Sequence, residues 1–458
     1  MELKKNDCVT VKIEDISTNG EGIGKVDGYA LFVKDAIIGD VAQVKVTKTK
    51  KTYGYARLME IITPSPDRVE MVCPIARRCG GCQIQEMSYE KQLEFKQNMV
   101  AKNIEKIGGI KPEEYEMCPI IGMEEPFRYR NKAQFPVGED SNGNIVIGFY
   151  AGRTHSIIET EECYLGSAKN ASILAKIKAW MLRNNIKPYN EEKHSGLVRH
   201  ILIREGFATG QVMVCLVVNG NTIPAAQNLV ENLLEVEGIA SIMLNVNKEK
   251  TNVILGDKVS LLWGREYIED YIGNVKYQIS PLSFFQVNPK QTEKLYRKAL
   301  EYAGLSGNET VWDLYCGIGT ISLFLAQSAK KVYGVEIVAP AIEDARNNAH
   351  INHIENAEFF VGKSEEVLPE YYKNHPEEYA DVIVVDPPRK GCEEVLLETI
   401  VKMQPKRMVY VSCDCATLAR DLKYMKAHGY DVVKVQPVDQ FGHTVHVESC
   451  VLLCRTDT

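Results

Sequence analysis

A short apolar strand runs into a glycine turn in Thr310-Val311-Trp312-Asp313-Leu314-Tyr315-Cys316-Gly317-Ile318-Gly319-Thr320. Glycine lets the backbone turn tightly after a strand and approach a ligand closely, and a helix is expected from Ile321. A second strand, Lys331 to Val335, leads into Glu336, about 20 residues past the turn, where a carboxylate can accept hydrogen bonds from ribose hydroxyls. This order predicts a nucleotide-binding parallel sheet.

The rest of the C-terminal region extends the same pattern. Strands and helices alternate from about residue 281 onward, which predicts a doubly wound sheet. The apolar run Asp381 to Val385 leads into Asp386-Pro387-Pro388, so Asp386 is expected at the sheet edge that binds ligands. The two prolines stiffen the loop that follows. A plain turn after a buried strand is the simplest alternative, but three strand-end features in order argue against it.

The glycine turn also indicates which nucleotide is bound. A dinucleotide fingerprint needs a third glycine, and Ser322 stands in that place. The pattern Asp313-x-x-Cys316-Gly317-x-Gly319-Thr320 resembles instead the first motif of class I S-adenosylmethionine-dependent methyltransferases. That resemblance implies a Rossmann-like α/β methyltransferase domain.

A cysteine and a carboxylate are predicted beside this nucleotide site. The strand Met408 to Ser412 ends at Cys413, at the same sheet edge as Asp386, and a later strand-like hairpin contains Glu448. A thiolate that adds to C6 of a pyrimidine makes C5 nucleophilic enough to accept a methyl group. A base must then remove the C5 proton so that the thiol can leave. We therefore predict Cys413 as nucleophile and Glu448 as base.

The whole chain resembles the class I RNA (uracil-C5)-methyltransferases, especially their 23S ribosomal RNA branch. The motifs that carry the resemblance are Gly20-Glu21-Gly22-Ile23-Gly24-Lys25, Phe127-Arg128-Tyr129-Arg130-Asn131-Lys132, Ser283-Phe284-Phe285-Gln286-Val287-Asn288, Val411-Ser412-Cys413 with Ala416 to Asp421, and His446-Val447-Glu448. The first of these is similar to the TRAM domain. The resemblance implies formation of 5-methyluridine in RNA, with 23S ribosomal RNA as the favoured partner. It also implies that the donor or the reacting base is contacted by Gln286, Tyr315, Glu336 and Asp386.

One departure from the family lies beside the nucleophile. The family commonly has Asn-Pro after the cysteine, where this chain has Asp414-Cys415. A carboxylate at Asp414 would raise the pKa of the Cys413 thiol if its side chain pointed inward. We expect this departure to affect the tuning of the thiolate more than the identity of the nucleophile.

Three domains are predicted. Residues 1–62 contain short strands and glycine turns, which predicts an OB-like β-barrel, the TRAM domain of the resemblance. Residues 63–280 form a mixed α/β central domain, although its helix from about 88 to 107 is a candidate to pack on the C-terminal domain. Residues 281–458 form the methyltransferase domain. The basic stretch from Val41 to Met59, with Tyr53 and Tyr55, suits RNA binding, and a lysine-protected strand edge is the equal alternative.

A cysteine-rich loop in the central domain predicts a metal centre. Cys73, Cys79 and Cys82 lie within ten residues, and Cys163 is a fourth candidate. Four thiolates suit zinc or an iron–sulfur cluster, their spacing does not choose between the two, and a metal-free loop is the third interpretation. The resemblance favours a [4Fe-4S] cluster held by these four cysteines, with a structural role.

Composition sets broader limits. The chain has 458 residues, 13 cysteines and a net charge of −7. An odd number of cysteines cannot all pair, the N-terminus lacks the apolar core of a signal peptide, and no apolar run reaches the ~20 residues that span a bilayer. We therefore expect a cytosolic protein with no membrane partner, and no protein partner is implied. The negative charge is an average that does not exclude a basic RNA-binding face.

Other functions remain open at this stage. Methylation of a transfer RNA uridine, or a non-catalytic RNA-binding or assembly factor on the same scaffold, are the main alternatives. Exocyclic amino methyltransferases usually carry an aromatic residue where Arg389 stands, and RNA cytosine-C5 methyltransferases a Pro-Cys motif where this chain has Gly391-Cys392. A radical iron–sulfur enzyme is disfavoured because its C-x₃-C-x₂-C run is absent.

Overall fold

A closed five-stranded barrel forms the N-terminal part of the computed structural model, which describes residues 3–152, 154–376 and 378–456. Its strands are β1 (Cys8–Ile16), β2 (Gly22–Val26), β3 (Tyr29–Lys34), β4 (Val41–Thr49) and β5 (Tyr53–Thr63). Alternate residues point inward, so that Ala42, Val44 and Val46 of β4 are buried. The predicted barrel is confirmed.

The glycines of the barrel have a different role from the expected one. A glycine-rich run such as residues 20–24 is typical of a turn, but β2 already begins at Gly22. A side chain at Gly24 would meet the carbonyl oxygen of Lys12 on β1 at 2.4 Å. Gly24 is therefore required by the close approach of two strands, which a turn interpretation misses.

Two helices and a short strand connect the barrel to the central region. They are α1 (Ala76–Cys79), α2 (Tyr89–Lys106) and β6 (Glu116–Met117). The side chain of Ser88 caps α2 by accepting a hydrogen bond from the Lys91 amide. As expected from the sequence, α2 packs against a helix of the C-terminal region, Cys415–Ala427.

A seven-stranded mixed sheet occupies the centre of the chain, in the order β13-β12-β11-β10-β7-β8-β9. Its elements are β7 (Lys132–Glu139), β8 (Ile145–Tyr150), β9 (Ile157–Glu159), α3 (Lys169–Arg183), β10 (Val198–Glu205), β11 (Val212–Val218), α4 (Ala226–Leu233), β12 (Ile239–Val246) and β13 (Lys258–Gly264). The helices α3 and α4 cover one face of this sheet through Trp180 and Leu229. Residues of the opposite face, including Met213 and Cys215, join the core of the C-terminal region.

The C-terminal region is an eight-stranded sheet in the order β18-β17-β16-β19-β20-β22-β21-β6, preceded by a hairpin that packs on it. Its elements are β14 (Ile268–Ile272), β15 (Val275–Ile279), α5 (Pro289–Ala303), β16 (Thr310–Leu314), α6 (Thr320–Ala326), β17 (Lys331–Glu336), α7 (Ala339–Ile351), β18 (Ala357–Val361), α8 (Ser364–Asn374), β19 (Val382–Val385), α9 (Glu394–Met403), β20 (Arg407–Ser412), α10 (Cys415–Ala427), β21 (Tyr430–Val438) and β22 (Glu448–Arg455).

The strand order explains where a ligand can bind. The strands β18, β17, β16, β19 and β20 are parallel, and the chain changes direction across the sheet between β16 and β19. Such a switch point opens a crevice beyond the C-terminal strand ends. The predicted doubly wound sheet is confirmed. No helix among the described residues combines the length and the apolar character needed to cross a bilayer.

Candidate active site

The glycine turn after β16 forms an open cradle at this crevice. Gly317 and Gly319 both have positive φ angles, of 54° and 80°. A side chain placed on Gly317 would enter open space, so a ligand can approach the backbone there. The Gly317 amide donates to Glu336 at 3.3 Å, and the Val338 amide donates to the other oxygen of that carboxylate at 3.0 Å. Glu336 is thus fixed beside the turn, where ribose hydroxyls could reach it.

Asp313 is a buried acid beneath the turn that sequence reasoning did not select as a site residue. One of its oxygens accepts a hydrogen bond from Ser322 at 2.5 Å, and the other has no partner in the described structure. Burial raises its pKa to about 7. The Asp-x-x-Cys-Gly pattern already placed Asp313 directly before the turn, but the sequence analysis used mainly the glycines of that pattern. The cradle, Glu336 and the unpaired acceptor of Asp313 together fit a nucleoside ligand that carries hydroxyl and ammonium donors.

Cys413 and Glu448 lie side by side at the same edge. β20 and β22 are antiparallel, and Ser412 pairs with Ser449. Cys413 directly follows Ser412 at the end of β20, and Glu448 directly precedes Ser449 at the start of β22. Burial, Glu448 and Asp386 raise the pKa of the Cys413 thiol to about 12, and Arg389 acts against them.

The two carboxyl groups of this cluster have strongly shifted pKa values. Burial, followed by the charge of Asp386, raises the pKa of Glu448 to about 8. Desolvation and Asp313 raise the pKa of Asp386 to about 7. A carboxylate whose pKa lies near neutral pH can both accept and release a proton in turnover. The arrangement is therefore capable of covalent and general-base chemistry on one substrate.

Arg389 is the second residue that the sequence analysis missed. It was considered only as a replacement for an aromatic residue, yet it opposes the acids around Cys413 and lies 3.5 Å from the His446 ring. Thr417 on α10 donates to the Arg389 carbonyl at 3.0 Å. Asp421 on α10 also accepts from the Cys392 amide at 2.9 Å, which braces the end of the loop. The feature of the sequence that could have identified Arg389 is its position, a cation directly after Asp386-Pro387-Pro388.

Asp414 does not face the thiol. Its carboxylate caps α10 by accepting hydrogen bonds from the amides of Ala416 and Thr417, each at 3.0 Å. The Cys413 pKa is set by burial, Glu448 and Asp386, whereas Asp414 acts on Cys415. Asp414 therefore serves as a helix cap, and the pKa of Cys413 is set by other acids.

The segment that carries Gln286 is held by the predicted central-domain motif. Asn131 donates from its side chain to the Gln286 carbonyl at 3.0 Å and from its backbone to the Val287 carbonyl at 2.9 Å. Asn288 caps α5 by accepting a hydrogen bond from the Gln291 amide, and Pro289 follows it in the first turn. Tyr315 adopts a positive φ of 74° directly after β16. The structure thus brings Tyr315, Glu336, Asp386, Cys413 and Glu448 to one edge of the sheet.

Comparison with known proteins identifies the family. A model described as tRNA (Uracil-5-)-methyltransferase matches residues 88–456. The chain belongs to this methyltransferase family. A TRAM domain model matches residues 2–59, the region of the barrel. The protein is therefore an S-adenosylmethionine-dependent RNA methyltransferase of the uracil-5 family with an N-terminal TRAM domain, which confirms the family resemblance and the expected methyl donor.

Individual relatives of the methyltransferase agree with this assignment. Proteins of Clostridium tetani and Halalkalibacterium halodurans, both described as uncharacterized RNA methyltransferases, are 50% and 51% identical, over 98% of this chain and 97% and 98% of their own lengths. The crystal structure of the Pyrococcus abyssi tRNA (uracil-54, C5)-methyltransferase in complex with S-adenosyl-L-homocysteine covers 97% of this chain and 100% of its own, with a TM-score of 0.76 and 29% identity.

The cysteine loop of the methyltransferase gathers its thiols in one neighbourhood. Burial, followed by the charges of Cys163, Cys73 and Cys79, raises the pKa of Cys82 to about 12. Cys73, Cys79 and Cys163 therefore lie close enough to Cys82 for their charges to act on it. Within the described ranges, however, no three His, Cys, Asp or Glu side chains are arranged to hold a metal ion. The metal centre stays a prediction.

Proposed function

We propose that the protein transfers a methyl group from S-adenosylmethionine to C5 of a uridine in RNA, giving 5-methyluridine through a covalent bond between Cys413 and C6. The carrying observation is the placement of Cys413 directly after β20 and of Glu448 at the start of the adjacent antiparallel strand β22, with Asp386 and Arg389 acting on both. A non-catalytic RNA-binding factor would have no need for a thiol and a near-neutral carboxyl group held together in this way.

The proposed reaction assigns one task to each residue. Cys413 gives its proton to water and adds its sulfur as thiolate to C6 of uracil, and the electron pair of the C5–C6 double bond moves to C5 and the O4 carbonyl. When bound, S-adenosylmethionine supplies an electrophilic methyl group to C5. Glu448 then takes the C5 proton, the C5–C6 double bond reforms and the sulfur–C6 bond breaks. Arg389 favours the thiolate, because a cation lowers the cost of placing a negative charge in this buried site.

The residues predicted to bind the donor are proposed for that role. Glu336 would accept hydrogen bonds from the ribose, and the cradle at Gly317 would let the amino-acid part approach the backbone. Gln286, Tyr315 and Asp386 would contact the donor or the reacting base. Asp313 joins this set because its unpaired oxygen is buried beneath the turn.

The substrate RNA is proposed to be 23S ribosomal RNA. The sequence motifs support this choice, since they resemble that branch of the family. Transfer RNA is the second candidate, because the matching family model and the Pyrococcus abyssi protein both carry transfer RNA in their names. A gene deletion strain that loses one 5-methyluridine from 23S ribosomal RNA supports the first candidate, and a loss from transfer RNA overturns it.

The barrel is proposed to contact this RNA. Phe32, Tyr53 and Tyr55 form a cluster with ring centroids 5.5 to 5.8 Å apart. Lys48 on β4 pairs directly with Tyr55, and Lys34 follows Phe32 on β3 by two residues. Aromatic faces beside lysines can stack on unpaired bases and neutralise phosphates.

The cysteine loop is proposed to hold a [4Fe-4S] cluster through Cys73, Cys79, Cys82 and Cys163, with zinc as the alternative. The support is the sequence resemblance together with the proximity of the four thiols. Its role would be structural, since methyl transfer to C5 requires no electron transfer. Anaerobic purification should give a brown protein that contains iron and sulfide, and stoichiometric zinc would overturn the cluster assignment.

Methyl transfer itself is tested with donor labelled in its methyl group and with in vitro transcribed ribosomal and transfer RNA. Digestion to nucleosides should place the label in 5-methyluridine. Label in 5-methylcytidine or in an N-methylated base would contradict the proposed chemistry. RNA binding without any label transfer would favour the non-catalytic alternative.

A further inference from the structure

One face of helix α2 enters the loop that precedes Glu448. Tyr89, Gln92 and Lys96 are spaced by three and four residues and therefore share a face of the helix. All three make hydrogen bonds to residues 439–443, which belong to the connection between β21 and β22, residues 439–447, here termed the base loop. The helix and the loop are more than 300 residues apart in sequence.

A fully buried ion pair lies at the centre of this contact. The side chains of Lys96 and Asp439 have no exposed surface, and Nζ lies 2.5 Å from Oδ1. Lys96 also donates to the Phe441 carbonyl at 3.0 Å. Tyr89 donates to the second carboxylate oxygen of Asp439 at 2.7 Å. Asp439 thus accepts hydrogen bonds from two side chains of one helix face, in addition to one from the Phe441 amide at 3.3 Å.

Gln92 fixes the next part of the loop. Its side-chain oxygen accepts from the His443 amide at 2.9 Å, and its side-chain nitrogen lies 3.1 Å from the His443 ring nitrogen Nδ1. The same nitrogen donates to the Met87 carbonyl at 2.8 Å. The His443 ring is also stacked on Phe127, with centroids 4.2 Å apart. His443 therefore has little freedom to move.

The two ends of the base loop meet at the proposed base. Val438, the last residue of β21, pairs with Glu448, the first residue of β22. Asp439 directly follows Val438, so the position of Asp439 is linked through one residue pair to that of Glu448. A buried ion pair adds little net stability, because desolvation offsets the attraction, but it specifies one geometry. An anchor of this kind therefore constrains position more than it stabilises the fold.

We propose that Tyr89, Gln92, Lys96 and Asp439 are positioning residues that hold Glu448 in place to remove the C5 proton. The inference rests on the proposed function, because it assumes that Glu448 is the base. Since the base acts only after methyl transfer, loosening the base loop slows release of the RNA and leaves the earlier addition of Cys413 intact. The methylated covalent complex should then accumulate on ordinary uridine RNA.

The test compares substitutions on the loop-facing side of α2 with one on its outer side. Gln92→Met and Tyr89→Phe remove hydrogen bonds without leaving a buried charge, and the double variant Lys96→Met/Asp439→Leu removes the ion pair as a unit. Lys91→Met is the matched control, because the Lys91 side chain pairs with Glu94 of the same helix. Glu448→Gln serves as the reference for a missing base.

Single-turnover reactions with labelled RNA are separated on denaturing gels, so that adduct and released 5-methyluridine are measured in parallel. For the loop-facing variants we expect release to slow roughly ten- to a hundredfold, because small misplacements of a catalytic group have effects of that size. Adduct formation should stay close to that of wild type, because Cys413 follows β20, whereas the substituted side chains bond to residues 439–443. Lys91→Met should match wild type.

Three outcomes overturn the inference. In the first, adduct formation and release fall together, in proportion to the folded fraction measured by circular dichroism. In the second, Lys91→Met slows release as the loop-facing variants do. In the third, the loop-facing variants release RNA as wild type does, while Glu448→Gln traps it. If wild type forms no adduct even on 5-fluorouridine RNA, the proposed function itself fails, which is a different result from these three.

Discussion

Replacing Glu448 by glutamine should accelerate formation of the covalent complex while it blocks release of the product. Burial, Glu448 and Asp386 raise the pKa of Cys413 from 9.0 to about 12, with Glu448 the larger of the two charge effects. Removing the charge of Glu448 should lower the pKa of the thiol by part of this rise, and each pKa unit is tenfold in thiolate. We therefore expect adduct formation to be about three- to tenfold faster where Glu448 is ionised in wild type.

The pH dependence of adduct formation shows whether the charge of Glu448 is what slows the wild-type protein. The pKa of Glu448 is about 8. Well below pH 8 wild-type Glu448 is neutral and resembles glutamine, so the two proteins should react at the same rate. Above pH 8 wild-type Glu448 carries a charge that glutamine lacks, and the variant should be faster. The advantage of the variant should therefore appear between about pH 7 and 9, because ionisation is spread over about one unit on each side of the pKa.

The assay is the rate of adduct formation with 5-fluorouridine RNA from pH 6.5 to 9, quenched in denaturant and read on gels. Fluorine at C5 prevents release, so the rate reports the steps up to the trapped adduct. Asp414→Asn is the matched control, because Asp414 is adjacent in sequence but directs its carboxylate to the amides of α10. It should leave the pH profile unchanged. Slower reaction of Glu448→Gln at pH 9, or the same gain in Asp414→Asn, would refute the electrostatic argument.

Three further substitutions test other parts of the structure. Asp414→Ala should lower the free energy of unfolding by about 1 kcal/mol, because α10 loses its cap, and thermal denaturation measures the loss. Trp180→Ala should cost about 3 to 5 kcal/mol in urea denaturation, because this fully buried ring fills the space between α3 and the central sheet. Tyr53→Ala should weaken RNA binding by about 1 to 3 kcal/mol in a filter-binding assay at fixed salt, if the aromatic cluster of the barrel stacks on bases. Unchanged affinity would indicate that this face of the barrel does not contact RNA.

Site residues near a strand end could be predicted, because the order of strands and helices along the chain is enough to locate them in the fold. In a parallel sheet every C-terminal strand end lies at the same edge, so Glu336, Asp386 and Cys413 could be brought together without coordinates. The cap at Asn288 and the helix over residues 89–106 were equally local, since each depends on neighbouring residues.

The features that were missed depend on packing between distant parts of the chain. Nothing local shows that Arg389 lies among the acids around Cys413, because this depends on how the loop after β19 packs against α10. The cap that Asp414 forms on α10 is local, by contrast, and could have been predicted from an aspartate directly before a helix. The contact of Lys96 with Asp439 joins residues 343 positions apart. The role of Gly24 has the same cause, since the neighbouring strand is what requires a glycine there.

The central claim is that the Cys413 thiol forms a covalent bond with the target uridine. Wild-type protein, incubated with S-adenosylmethionine and 5-fluorouridine RNA, should give a stable complex. Proteolysis and mass spectrometry should find a methylated 5-fluorouridine nucleotide attached to Cys413, and Cys413→Ala should form no complex, whereas Cys415→Ala still should. Attachment at Cys415 or at any other cysteine, or 5-methyluridine formation by Cys413→Ala, would contradict the account.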